Sequence, residues 1–167
     1  MKNFKYFWNN KNILITGING FIGSNLAKYL LKNNANIFGL VRKIDKRTLL
    51  YHENLDKKIN LIFGDITDLK LIKRIINEEN IKHIFHLAAQ VEVGVAMKYP
   101  FSTFESNIKG TYSVLEAART SSSKINSIGM SSGPSSKIGS SKVSTEISWL
   151  TLRSCLGLTV SPTYKKF

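Results

Sequence analysis

Apolar and polar positions alternate in blocks along the first 119 residues. Short runs of Ile, Leu, Val and Phe at residues 12–16, 36–41, 60–63 and 83–87 predict buried strands, and the mixed stretches between them predict helices. Segment 21–33 carries helical spacing. Segment 68–79 does so through Leu69, Ile72, Ile75 and Ile76, placed behind Thr67, a residue type suited to an N-cap. A looser helical stretch covers 47–55. Residues 101–119 predict a further helix whose apolar face is Phe104, Ile108, Tyr112, Leu115 and Ala118, a core-facing set. Strands that alternate with helices in this way predict a parallel sheet with right-handed crossovers, hence an α/β fold with a doubly wound sheet.

The pattern breaks near Thr120. Residues 120–167 hold 14 of the 18 serines and a single acid, Glu146, against four serines and ten acids before them. That shift predicts a divergent, poorly ordered Ser-rich tail with one further strand at 125–130, and an incomplete sheet. A length of 167 residues with 43% apolar composition fits one domain with a real core. No apolar run approaches the roughly 20 residues of a membrane span, so no membrane partner and a cytoplasmic location are expected. Cys155, the only cysteine, has no internal disulfide partner. The net charge of +13 is scattered in short pairs such as Lys57–Lys58, which argues against a nucleic-acid partner and equally suits a small anionic substrate.

Residues 11–23 read KNILITGINGFIG: a strand, a glycine turn, then the start of a helix. This order brings backbone amides up to a dinucleotide pyrophosphate. Gly17 would make the tight turn, Gly20 would let the backbone approach the phosphates, and Gly23 would let the helix pack closely on the sheet. Asn19, Phe21 and Ile22 belong to the same turn, whose helix end offers unpaired N–H groups to an anion. Three further stretches fall at predicted strand ends, where open α/β sheets bind ligands. In GLVR, Arg42 stands where an acid would meet the ribose of NAD, and an arginine there suits the 2′-phosphate of NADP or is simply solvated, so the choice of cofactor stays open. In GDITD, Asp65 could accept from an adenine amino group, with Ile66 beside it, while Asp68 serves the first turn of the next helix. In HLAAQ, the small residues after Leu87 (Ala88 and Ala89, then Gln90) would let backbone lie against the cofactor. His83 and His86 are no metal pair, because residues three apart on a strand face opposite ways.

Together TGINGFIG, GLVR, GDITD, HLAAQ and FESNIKGTYSVLEAAR closely resemble the extended short-chain dehydrogenase/reductase family, the NAD-dependent epimerases and dehydratases of nucleotide sugars, over residues 8–119. FWNNKNILITG and HLAAQVEVGVAMKYPFSTFESNIKGT are most similar to CDP-glucose 4,6-dehydratases and their GDP-mannose relatives. The resemblance implies a Rossmann domain over 1–119 that binds NAD or NADP, a nucleotide-sugar substrate, and homodimers in the intact family. It also implies lyase or isomerase chemistry: hydride abstraction at hexose C4, which in a dehydratase is followed by loss of water across C5 and C6 and return of the hydride to C6. The family's base is a Tyr followed four residues later by Lys, and no Tyr in this chain has that partner. Ser132 is the candidate for the family's Ser/Thr, yet Gly133 and Pro134 follow where an acid would stand. Trp149 and Arg153 occupy the Tyr-to-Lys spacing, but an indole is no base and Arg stays charged. The abrupt loss of resemblance and the composition break predict a truncated or frame-disrupted chain that is not catalytically competent alone. A non-catalytic binding module or a non-functional fragment is the alternative.

Overall fold

The computed structural model describes residues 7–130. Five strands form one parallel sheet in the order β3-β2-β1-β4-β5: β1 (Asn12–Thr16), β2 (Asn36–Val41), β3 (Asn60–Phe63), β4 (His83–His86) and β5 (Ser127–Met130). The order reverses between β1 and β4, where Ile13 to Thr16 pair with His83 to His86 on one side and with Ile37 to Leu40 on the other. A parallel, doubly wound, Rossmann-like sheet is therefore present as the alternation of blocks predicts.

Strand alternation sorts the core into two layers. Ile13, Ile15, Ile37, Val41 and Phe85 face α1 (Phe21–Lys32), packing with Leu26, Leu30 and Trp8. Leu14, Phe38, Leu40, Ile84 and Ile128 face the opposite way, towards α3 (Leu69–Glu78) and α6 (Gly110–Thr120), packing with Ile72, Ile76, Val114 and Ala117. Both faces of β1, β2 and β4 are covered, which is why β1 and β2 read as apolar runs, whereas the edge strand β3 is only half-buried and leaves Phe63 exposed. The looser stretch resolves into the short α2 (Leu49–His52) and a 3-10 turn (Asp56–Lys58). Three helices stop where an Asn takes a left-handed backbone, Asn34, Asn54 and Asn80, at φ 57°, 52° and 46°. Asn does there what Gly usually does.

Two expectations change. The N-cap of α3 is Asp68, whose side chain accepts from the Leu71 amide at 3.0 Å, whereas Thr67 turns its hydroxyl to Asp65. The helix expected over 101–119 is broken into α5 (Pro100–Phe104), a π-helical segment (Glu105–Lys109) and α6, behind a short α4 (Val93–Lys98) that periodicity did not indicate. The wider π turn shifts the phase of the face before it. The small residues of α6, Gly110, Ser113, Ala117 and Ala118, form the buried side with Val114, because a Cβ on Gly110 would overlap Ile66 Cδ1 and only a slim face fits so close. Phe104 and Ile108, each 60% exposed, and Tyr112, 52% exposed, are left outside the core, while Leu115 and Ala118 pack as expected. The strand expected at 125–130 begins at Ser127, and the rest of the Ser-rich tail lies outside the described residues.

Candidate functional site

A cavity of about 240 Å³ opens at the carboxyl ends of β1, β2, β3 and β4. Of the residues singled out from sequence, Gly17, Asn19, Arg42, Asp65, Ile66, Ala88, Ala89 and Gln90 line it. Gly20, Phe21, Ile22 and Gly23 do not line it: they form the first turn of α1 and its cap, at the end of the same glycine turn. Leu87 packs beneath, against the core. Ser132, Trp149 and Arg153 lie outside the described residues.

The glycine turn is shaped by contacts that leave no room for side chains. Gly17 has φ +72°, and a Cβ there would sit 2.6 Å from the Ala88 nitrogen. A Cβ on Gly23 would overlap the Gly17 carbonyl oxygen, whereas one on Gly20 would meet that oxygen only at 3.3 Å. α1 starts with no side-chain cap and no acid in its first turn. Its first amides, those of Phe21 and Ile22, therefore have neither an intrahelical acceptor nor a negative side chain beside them. Asn19 ties this turn to β2 by donating from Nδ2 to the Lys43 carbonyl at 3.2 Å.

On the β2 side, Arg42 comes within 3.9 Å of Asp65 Oδ2. Asp65 Oδ1 accepts from both the amide and the hydroxyl of Thr67, at 2.9 and 2.8 Å, which aims the carboxylate from below and leaves Oδ2 with only the long Arg42 contact. Burial pushes the Asp65 carboxyl up, but the Thr67 hydrogen bonds, Arg42 and Lys109 outweigh it and hold the group below its ordinary value. Asp45 is gripped by the Arg47 fork at 3.0 Å and held at about 2, so its charge is already matched on the side where Arg42 and Lys43 line the cavity.

The β4 side is built on hydrogen bonds. Asn107, in the π segment, accepts from the Gln90 amide at 2.7 Å and donates to the Gln90 carbonyl at 3.0 Å. His86, 4% exposed, lies between Thr16 at 2.8 Å and Thr111 at 3.0 Å, and burial pushes its imidazole down to about 4. His83 faces the other layer, among Phe7 and Trp8 and bonded to Ser127, and is likewise near 4 through burial and then Lys11. The two histidines point to opposite faces as strand geometry requires, and the described residues contain no cluster able to hold a metal.

Leu40, Val41, Lys43, Asp45, Thr48, Gly64 and Ser106 also line the cavity and were not singled out from sequence. Leu40, Val41 and Gly64 lie inside GLVR and GDITD and Lys43 directly follows the first, so the strand ends marked the right places. Ser106 had no such signal, because it arrives through the π turn.

The family model described as GDP-mannose 4,6 dehydratase matches residues 14–138. The chain is 36% identical over 109 residues to a GDP-mannose 4,6-dehydratase of Sordaria araneosa, covering 65% of this chain and 20% of that one. It is 37% identical over 115 residues to the dTDP-glucose 4,6-dehydratase of Salmonella typhimurium, covering 64% and 30%. The UDP-glucose 4-epimerase of Thermus thermophilus, solved in complex with NAD, superposes with a TM-score of 0.58 at 30% identity, covering 70% of this chain and 36% of that one. The match to these curated relatives thus spans less than a third of their length. Among the described residues no helix is long and apolar enough to cross a membrane.

Proposed function

The chain belongs to the GDP-mannose 4,6 dehydratase family, and from that premise we propose that its cleft binds NAD or NADP as the cofactor portion of a nucleotide-sugar dehydratase or epimerase. The observation that carries this reading is the uncapped, acid-free start of α1 beside a turn in which Gly17 and Gly23 leave no space for a Cβ. Such a turn presents amides and a partial positive charge to a diphosphate. The residues fit the group: Phe21 and Ile22 amides for the pyrophosphate, Asp65 for the adenine amino group, and residues 88–90 along the wall. When bound, the nicotinamide would supply the hydride acceptor for the hexose C4.

Arg42 and Lys43 stand beside an Asp45 already engaged by Arg47, which favours a ligand carrying negative charge at the ribose. Arg42→Ala is expected to weaken NADP binding about tenfold and leave NAD unchanged, since one charge-assisted pair is worth that much at a half-exposed site. Calorimetric titration of both nucleotides checks it, and an equal loss for the two would remove Arg42 from the 2′ position.

The missing Tyr-x-x-x-Lys base supports a second part of the proposal: the chain binds cofactor without turning over sugar. Incubation with NAD or NADP and GDP-mannose, dTDP-glucose or CDP-glucose is expected to yield no 4-keto-6-deoxy product. Appearance of that product would contradict it and also the alternative of a non-catalytic module. The exposed apolar side chains Met97, Phe101, Phe104 and Ile108 support a homodimer of this chain through α4, α5 and the π segment, a state the family resemblance implies for the intact family. Sedimentation is expected to give twice the chain mass, and Phe101→Asp with Phe104→Asp to give the monomer. A wild-type monomer at micromolar concentration would contradict this.

A further inference from the structure

For a neutral imidazole, the hydrogen bonds around His86 admit only one assignment of protons. Thr111 has one hydroxyl proton, and it goes to the Asn107 carbonyl at 2.6 Å, an oxygen that only accepts. Thr111 Oγ1 must therefore accept from His86 Nε2, 3.0 Å away, so Nε2 carries the ring proton. A neutral ring then has a bare Nδ1, which accepts from the Thr16 hydroxyl at 2.8 Å. Thr16 Oγ1, its proton spent, accepts in turn from the Ala88 amide at 3.3 Å.

These bonds run in one direction from the Ala88 amide through Thr16, His86 and Thr111 to the Asn107 carbonyl, and the Asn107 side chain closes on both main-chain groups of Gln90. The two ends of the chain are the two ends of one short wall of the cavity, residues 88–90. The chain also crosses from the end of β1 through β4 to the π segment. The π turn is thus tied to the wall from both sides.

We infer that His86 is a positioning residue: as the neutral Nε2–H tautomer it orients a one-way hydrogen-bond chain that holds residues 88–90 against the cleft. The inference rests on the cofactor reading only for what the wall faces. The tautomer and the wall's rigidity are properties of the free protein. His86 need not touch the ligand, and its effect is transmitted through Thr16 and Thr111.

The test uses the full chain. Long-range ¹H–¹⁵N spectra of the imidazoles at pH 7 are expected to show His86 protonated on Nε2 and bare on Nδ1. An Nδ1–H or doubly protonated ring overturns the inference. Thr111→Val keeps the shape and breaks the chain, and is expected to raise amide exchange at Gln90 about tenfold, as loss of one buried hydrogen bond does. It is also expected to weaken NAD and NADP binding by a similar factor. Ser127→Ala, which strips the partner of His83 at the far end of β4, is the control for general destabilisation and should move neither readout. Unchanged exchange at Gln90 in Thr111→Val, or equal changes in the control, overturns the inference. A wild-type chain that binds neither nucleotide would count against the cofactor reading, while the tautomer and exchange results would still decide the role of His86.

Discussion

Gly17→Ala is expected to lower the melting midpoint by about 10 °C and to abolish measurable binding of NAD and NADP. The left-handed backbone at φ +72° costs a side-chain-bearing residue about 1–2 kcal/mol by itself. The added methyl would also sit 2.6 Å from the Ala88 nitrogen and 2.7 Å from the Leu87 carbonyl carbon, both backbone atoms that cannot rotate away. Together these put the loss near 3 kcal/mol or above, the range of a strained special backbone position. Relief requires the turn and residues 88–90 to separate, so two walls of the cleft move at once. Gly20→Ala is the contrasting substitution. Its methyl meets only the Gly17 carbonyl oxygen, at 3.3 Å, so the fold should hold within about 1 kcal/mol. Its affinity should fall nonetheless if Gly20 is where phosphate approaches the backbone. Thermal melts with and without nucleotide separate the two effects, because a ligand that binds only the folded state raises the midpoint. A Gly17→Ala chain with wild-type melting and binding would contradict the account of the turn.

The second large effect is on acid stability. His83 and His86 have imidazoles pushed down to about 4 by burial, against an ordinary value of 6.5. Between those values the unfolded chain binds a proton at each site and the native chain does not, so stability rises with pH through this window. It is fully present above about 6.5 and is lost as pH falls towards 4, by on the order of 3 kcal/mol per histidine. Asp65 and Glu116, whose carboxyls are held low, lose their contribution only below the ordinary carboxylate range, so the window from 6.5 to 4 belongs to the histidines. Urea unfolding at pH 7, 6, 5 and 4 measures the slope. His83→Gln and His86→Gln should each be less stable at pH 7 and show a flatter slope. A wild-type slope near zero across that window would contradict the burial of both rings as neutral species.

Much of this architecture was legible because its signals are local. The first three strands match their apolar runs end to end, and in β1 and β2 burial on both faces leaves no polar position between the end residues. The glycine turn was equally readable, because Gly17 and Gly23 are demanded by backbone geometry that no other residue meets. What failed was long-range. Phe104, Ile108 and Tyr112 look like a core face until the π turn shifts the phase and the slim side of α6 wins the contact with Ile66. Thr67 and Asp68 are both good capping residues, and the choice between them was made by Asp65, which claims the Thr67 hydroxyl. Ser106 enters the cavity and Asn107 clasps Gln90 only because the π segment crosses the end of β4, a juxtaposition no spacing announces.

If the first turn of α1 receives the diphosphate of a dinucleotide, backbone ¹H–¹⁵N spectra recorded during titration with NADP and then NAD will report it residue by residue. Saturable shifts concentrated on the amides of Gly17, Gly20, Phe21 and Ile22, accompanied by smaller ones at Asp65 and residues 88–90, are the expected result. Spectra that stay unchanged at millimolar nucleotide, or shifts that avoid the glycine turn, would contradict it.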